Sequence, residues 1–169
     1  MIYMIKIISA TEETLPKAKK LIKRVFPSRT LFEQLSLIAM TNQDNWLINK
    51  LTNLFGYNII DIWVAVNEKE EVVGTTGLYS CRQDEDVALW LFWYCVDPEE
   101  RGKRIGKKLL TYAIEQAKSR GAKYLRLYTS DDPNERAAQI VYEKHGLNEI
   151  KRKNKLFYTE IIRELKFYG

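Results

Sequence analysis

Between Val96 and Leu110 the chain reads V-D-P-E-E-R-G-K-R-I-G-K-K-L-L, and this stretch constrains the fold more than any other. The apolar run Ala88–Val96 ends at a Pro98 turn. A loop with Gly102 and Gly106 follows, and Ile105, Leu109, Ala113 and Ala117 then recur on one stripe of an amphipathic helix over about Lys103–Arg120, stopped by Gly121. The start of that helix carries Arg101, Lys103, Arg104, Lys107 and Lys108. Cations there oppose the helix dipole, whose positive end is the N-terminus, and the spare N–H groups of the first turn add to the same field. The arrangement makes sense if an anion, most naturally a phosphate, docks at the helix start.

The rest of the chain alternates in period. Ile2–Ile8 is rich in β-branched residues and reads as a strand. Thr11–Thr14 offers a helix start, with Glu12 and Glu13 suited to a first turn, and Leu15, Ala18, Leu21, Ile22, Val25 and Phe26 follow at helical spacing up to Pro27. Between Ser28 and Asn58, the apolar clusters Leu31–Leu37 and Trp46–Phe55 predict one or two short helices. From Ile59 the pattern alternates as in a strand, and after the charged Asn67–Glu71 turn Val72–Cys81 makes another. Gly74 and Gly77 inside it signal a bulge or a closely passing backbone. Ala88–Val96 is apolar on both faces, as a doubly covered central strand should be. Tyr124–Thr129 is a strand, Glu135–His145 a helix stopped by Gly146, and Leu147–Phe167 two strands around a basic turn, Lys151–Lys155. The sum is one mixed α/β domain over residues 1–169.

A hydrophobic share of 46% and a charged share of 29% are those of a soluble globular protein. No apolar run is long enough to span a bilayer. Met1–Ile8 holds Lys6 and lacks a small-residue cleavage site, so a cytoplasmic protein without membrane association is the expectation. Cys81, Cys95 and the single His145 cannot build a metal site, and the cysteines read as reduced and buried. A net charge of +5 permits an anionic ligand without arguing for nucleic acid.

Two phosphate-binding motifs fail at Arg101–Gly106. A nucleotide P-loop needs four residues between its glycines and a Ser or Thr after the Lys; here there are three, and Lys108 follows Lys107. A dinucleotide fingerprint needs a third glycine and an earlier place in the chain. The segment instead resembles the pyrophosphate loop of the general N-acetyltransferase (GNAT) superfamily, Arg/Gln-x-x-Gly-x-Gly/Ala. Arg101 and Gly106 match its ends, and Arg104 stands where the first motif glycine usually is. A second stretch, Asn134–Leu147, resembles the family's later helix, Asn-x-x-Ala-x-x-x-Tyr-x-Lys-x-Gly-Phe. Tyr142, Lys144 and Gly146 match in place, Ala138 takes the alanine position, Glu135 the asparagine position with Asn134 one residue early, and Leu147 replaces Phe. The resemblance covers about Ile59–Leu147.

The resemblance implies a GNAT-like α/β fold: a mixed sheet with splayed central strands and helices on both faces. It implies acetyl-CoA as co-substrate, without a metal. The pantetheine arm would pair like an added strand with Tyr94, Cys95 and Val96. The backbone of Gly102, Lys103, Arg104, Ile105, Gly106 and Lys107 would hold the diphosphate, with Arg101 and Asn134 in the same site; Arg101, Lys103 or a flanking lysine would reach the remaining phosphate. The implied reaction is direct transfer of an acetyl group to a substrate amine, a small molecule or a protein or peptide, with a backbone N–H near Cys95–Val96 stabilising the oxyanion and Tyr142 donating to the departing thiolate. A homodimer is compatible with the family. The strand stretch Leu89–Trp93 has no carboxylate to act as base, and Asp84, Glu85 and Asp86 in the preceding turn are the nearest. Cys95 as a nucleophile would have only His145 as partner, so a covalent route is not expected. Two other classes compete: an acyl-CoA sensor of the same fold without turnover, and a nucleic-acid binder using the basic patches, for which no motif exists.

Overall fold

The computed structural model describes residues 4–27 and 30–168. Among these residues seven strands form one sheet: β1 (Lys6–Ser9), β2 (Tyr57–Val66), β3 (Val72–Cys81), β4 (Ala88–Val96), β5 (Tyr124–Ser130), β6 (Asn148–Asn154) and β7 (Thr159–Lys166), in the spatial order β1-β2-β3-β4-β5-β7-β6. Five α-helices among the same residues cover it: α1 (Thr14–Val25), α2 (Leu31–Met40), α3 (Trp46–Leu54), α4 (Ile105–Ser119) and α5 (Arg136–Lys144). This is the mixed α/β architecture expected, with α4 as the crossover between β4 and β5.

The two sheet faces bury different helices. On one, Ala18, Leu21 and Ile22 of α1 and Leu37 and Met40 of α2 pack on Ile62, Val64, Tyr79, Trp90 and Phe92. On the other, Ile105, Leu109, Leu110, Ala113 and Ala117 of α4 and Tyr142 of α5 pack on Trp63, Ala65, Leu78, Leu89, Leu91, Leu125 and Leu127. Each strand thus sends alternate residues to opposite sides.

Three departures from regular pairing matter for function. β4 and β5 are the parallel pair, and they pair only over Ala88↔Tyr124, Leu89↔Leu125 and Trp90↔Arg126; beyond Trp90 they diverge. β5 continues instead against β7 along its whole length. Second, the β3–β4 register slips between Gly77↔Phe92 and Thr75↔Cys95, so Trp93 and Tyr94 oppose Thr76 alone. This is a bulge, with Trp93 at φ 35°. It reverses the facing of the strand beyond it: Trp90, Phe92, Trp93 and Cys95 lie towards α1 and α2, whereas Leu91, Tyr94 and Val96 lie towards α4 and α5. Third, the β2–β3 register slips between Ile59 and Asp61, beside Gly77. A Cβ on Gly77 would collide with the Asp61 carbonyl, and one on Gly74 would meet Leu109 at 2.7 Å, so both strand glycines serve close approach.

Several boundaries move. Thr11–Thr14 forms the turn before α1, leaving Glu12 and Glu13 outside the helix. α4 starts at Ile105 rather than Lys103, because Gly102 and Arg104 are left-handed. The stretch Lys151–Lys155 is not the turn: residues 151–154 belong to β6, and the hairpin closes with the Lys155 N–H donating to the Tyr158 carbonyl at 2.8 Å. The first strand occupies Lys6–Ser9, and Ile2 and Tyr3 lie outside the described residues.

Candidate functional site

The divergence of β4 from β5 opens a cleft of about 1220 Å³ that runs through the sheet. Its walls come from both faces: Tyr94, Val96, Ile105, Gly106, Val141 and Tyr142 on the α4–α5 side, and Tyr57, Ile59, Tyr79, Phe92 and Trp93 on the α1–α3 side. Past Trp90, the edge of β4 that would face β5 has no strand partner among the described residues, so a length of backbone is available to an extended ligand.

At one end of the cleft stands the start of α4. The left-handed Gly102 (φ 82°) and Arg104 (φ 60°) turn the chain into the helix, whose first helical hydrogen bond runs from the Lys108 N–H to the Arg104 carbonyl, 3.1 Å. No side chain caps this helix and no acidic residue sits in its first turn. Among the described residues, none accepts from the N–H groups of Ile105, Gly106 or Lys107. Arg101, Gly102, Arg104 and Lys107 are exposed around them and line the cleft. The site is a ring of positive charge over unsatisfied donors, which is what a phosphate group requires. Arg104, in the place of a family glycine, adopts the left-handed geometry itself, at a cost of roughly 1–2 kcal/mol for a residue with a Cβ.

The remaining expected residues divide. Tyr94, Cys95, Val96, Ile105, Gly106 and Asn134 all line the cleft. Lys103 does not: its Nζ lies 2.8 Å from the Glu100 carboxylate, an ion pair folded back along the loop. The Cys95 thiol is fully buried, and burial pushes it up to about 12, so it is protonated and inert as a nucleophile. His145 ends α5, donates from Nδ1 to the Val141 carbonyl at 2.8 Å and lies 3.3 Å from the Thr111 hydroxyl through Nε2. It spans two helices and has no contact with Cys95.

Tyr142 stands in the middle of the passage. It is 5% exposed and packs against Leu91, Leu110 and Ala113. Burial and the neighbouring Tyr94 phenol hold its hydroxyl well above the ordinary phenol range, so it carries its proton. Among the described residues nothing hydrogen-bonds to that hydroxyl, yet it is not sealed off from the cleft. It is a protonated donor with nothing to donate to inside the fold. α5 is pinned in place by the buried Arg163 of β7, which bonds Gln139 Oε1 (2.7 Å), Glu143 Oε1 (2.8 Å) and the Leu147 carbonyl (3.0 Å).

Sequence reasoning did not anticipate three features. The bulge at Trp93–Tyr94 swings Tyr94 over Gly106, where its hydroxyl would lie 2.6 Å from a Cβ. Glu135 fastens the free end of β5, accepting from the Thr129 hydroxyl (2.5 Å) and the Ser130 N–H (2.9 Å) and hydroxyl (3.0 Å). It thereby satisfies a strand end that has lost its β4 partner. On the α1–α3 side the cleft has two carboxylates, Glu33 and Glu160. Glu33 had a readable signal: Thr30-x-x-Glu33 is a capping box, and the structure forms it. By contrast Asp84, Glu85 and Asp86 do not line the cleft. Asp84 accepts from Trp90 Nε1 (3.0 Å) and Arg126 (2.6 Å), and the other two are exposed at the opposite end of β4.

Residues 29–147 match the model of the acetyltransferase (GNAT) family. No curated protein matches the chain in sequence. Among solved structures, the chain is similar to an acetyltransferase of the GNAT family from Staphylococcus aureus Mu50, with 25% identity over 96% of this chain and 99% of that one and a TM-score of 0.72. It is also similar in fold to a ribosomal-protein-alanine N-acetyltransferase from Brucella melitensis, with 22% identity over 96% and 99% of the two chains and a TM-score of 0.70. An IAA acetyltransferase from Bacillus cereus ATCC 14579 has 20% identity over 97% and 100%, also with a TM-score of 0.70.

Proposed function

Because the chain belongs to the GNAT acetyltransferase family, and is therefore an acyltransferase, we propose that it moves an acetyl group from acetyl-CoA directly to a substrate amine in a ternary complex. One observation supports this above the others: a single through-sheet cleft joins an uncapped, positively ringed helix start to a buried, protonated and unpartnered phenol.

In this reading the N–H groups of Ile105, Gly106 and Lys107 bind the diphosphate of the co-substrate, aided by Arg101 and Arg104, and Asn134 borders the same path. The unpaired edge of β4 at Tyr94–Val96 holds the pantetheine amides as a neighbouring strand would, and leads the thioester to the divergence point. There a β4 backbone N–H near Cys95–Val96 faces the carbonyl and stabilises the negative charge that develops as the amine attacks. Tyr142 then gives a hydrogen bond or its proton to the leaving sulfur. A phenol held in its protonated form suits this, because the sulfur needs a donor only as it leaves. Cys95, the one cysteine lining the cleft among the described residues, is buried and keeps its proton, which supports direct transfer over a route through a cysteine thioester. No helix among the described residues is long and apolar enough to cross a membrane, and we place the reaction in the cytoplasm.

The experiment is a thiol-release assay with Tyr142→Phe. The variant keeps the ring and its packing, and loses no protein hydrogen bond. A fall in kcat of about 10²-fold or more at unchanged affinity for acetyl-CoA supports the reading. Unchanged kcat, or no CoA release from the unsubstituted protein with any amine, overturns it.

A further inference from the structure

We infer that the acceptor is the α-amino group of a polypeptide whose first residue has an apolar side chain. This rests on the acetyl-transfer reading and concerns the α1–α3 half of the same cleft.

The acceptor must shed a proton before it can react. An ammonium cannot attack, so the amine must arrive neutral or meet a base. Among the described residues the carboxylates lining this half are Glu33 and Glu160. Glu33 is occupied by the Thr30 N–H (2.6 Å) and hydroxyl (3.0 Å), and Glu160 lies 3.6 Å from Lys155. Neither stands alone in an apolar setting, the arrangement that makes a strong carboxylate base. Three phenols of this wall are held protonated: burial raises Tyr57, sends Tyr79 well above the ordinary range and pushes Tyr128 up to about 12. His145 borders the cleft from the α4–α5 side, with Nδ1 on the Val141 carbonyl and Nε2 beside the Thr111 hydroxyl. A site built this way suits an amine that is partly neutral without help. At pH 7 about one α-amine in ten is neutral, against about one lysine or alkyl amine in 2,500.

The wall of this half is largely aromatic. Tyr57 and Tyr79 rings lie 5.7 Å apart, Tyr79 and Phe92 6.0 Å, and Tyr128 stacks on Trp90 at 4.7 Å. At the mouth, Ile38, Phe55 and Tyr128 remain 43%, 54% and 47% exposed, apolar surface that a hydrophobic first residue would cover. A polyhydroxylated acceptor would lose its hydrogen bonds to water here without replacement. A free amino acid would bring a second charge, its carboxylate, to a wall whose cation, Lys155, already faces Glu160. Joined in a peptide bond, that carboxylate is gone.

The test uses the unmodified protein with acetyl-CoA at pH 7. The acceptors are a peptide beginning Phe-Ala with one internal lysine, the same peptide beginning Ser-Asp, phenethylamine, spermidine and free phenylalanine. Mass spectrometry locates the acetyl group, and calorimetry measures acetyl-CoA binding independently. Acetylation of the Phe peptide at its α-nitrogen, roughly 10²-fold over its lysine and at least tenfold over every other acceptor, is the expected result. Preference for the lysine, spermidine, phenethylamine or free phenylalanine overturns the inference while leaving acetyl transfer intact. Preference for the Ser-Asp peptide overturns the apolar part. Failure to bind acetyl-CoA, or binding without transfer to any acceptor, overturns this inference together with the reaction on which it rests.

Discussion

Tyr94 and Tyr142 lie with ring centroids 5.5 Å apart, one on a strand and one on a helix that is far away in the chain. Tyr142 is buried and Tyr94 half-buried among apolar side chains, and each keeps its proton because that burial pushes its phenol upward. The pair closes one side of the passage between the diverging strands, so whatever threads the sheet passes a wall of neutral hydroxyls.

The pH dependence of Tyr142 is set by that burial. A phenol raised above its ordinary value remains a donor at every pH below the raised value, so catalysis is not lost as pH rises through 7 to 10. The kcat profile at saturating substrates should show no descending limb below about pH 10, the ordinary phenol value. A limb falling between pH 8 and 9 would remove Tyr142 as the donor.

Gly106→Ala separates binding from folding. Alanine gains about 1 kcal/mol over glycine inside a helix, but its Cβ would lie 2.6 Å from the Tyr94 hydroxyl, the far end of a side chain that can swing away. Denaturant midpoints should therefore move little. Calorimetry should show acetyl-CoA affinity falling about tenfold, because the displaced phenol enters the diphosphate path.

Arg104→Gly removes strain. The left-handed φ of 60° costs an L-residue roughly 1–2 kcal/mol and glycine nothing comparable. Urea unfolding should show a gain of about 1 kcal/mol. The lost cation should flatten the salt dependence of KM for acetyl-CoA, measured between low and physiological ionic strength.

Thr76 is fully buried opposite the β4 bulge, and its hydroxyl is the one buried side-chain oxygen without a hydrogen-bond partner among the described residues. Thr76→Val keeps the shape and removes the cost of an unpaired hydroxyl, about 1–3 kcal/mol. A higher urea midpoint with unchanged slope is the expected result.

Cys81 and Cys95 are both raised to about 12 by burial. Their burial as neutral thiols contributes stability that is fully present below the unfolded thiol value, near 8.5, and is lost as pH rises towards 12. Native protein at pH 8 should fail to react with a thiol reagent over hours, both thiols should react in denaturant, and Cys95→Ala should retain kcat.

Much of this molecule was legible in its residues because the signals are local. Val72–Cys81 and Ala88–Val96 were bounded correctly by their apolar runs, and the uncapped, cation-rich start of α4 showed in the conflict between charge and helix dipole. Tyr142 stood out through the resemblance of its helix to the family pattern, and the structure places it in the cleft wall. The polar groups of the cleft's α1–α3 half were not, because they come from elements distant in the chain: Glu33 on α2, Tyr57 on β2 and Glu160 on β7. The acidic turn Asp84–Asp86 misled for the same reason. In sequence it adjoins the central strand, but in space it lies at the strand's far end and Asp84 is spent on Trp90 and Arg126.

The amino-acid order alone determined most of the strands and helices and the crowding of cations at one helix start, since periodicity and dipole act over a few neighbouring residues. The facing of Tyr94, Cys95 and Val96 was decided only in three dimensions. Strict alternation would send Tyr94 with Trp90 and Phe92; the slip against Thr75 and Gly77 sends it to the opposite side. A bulge depends on which residues of a second strand stand opposite, and no pattern within one strand contains that information.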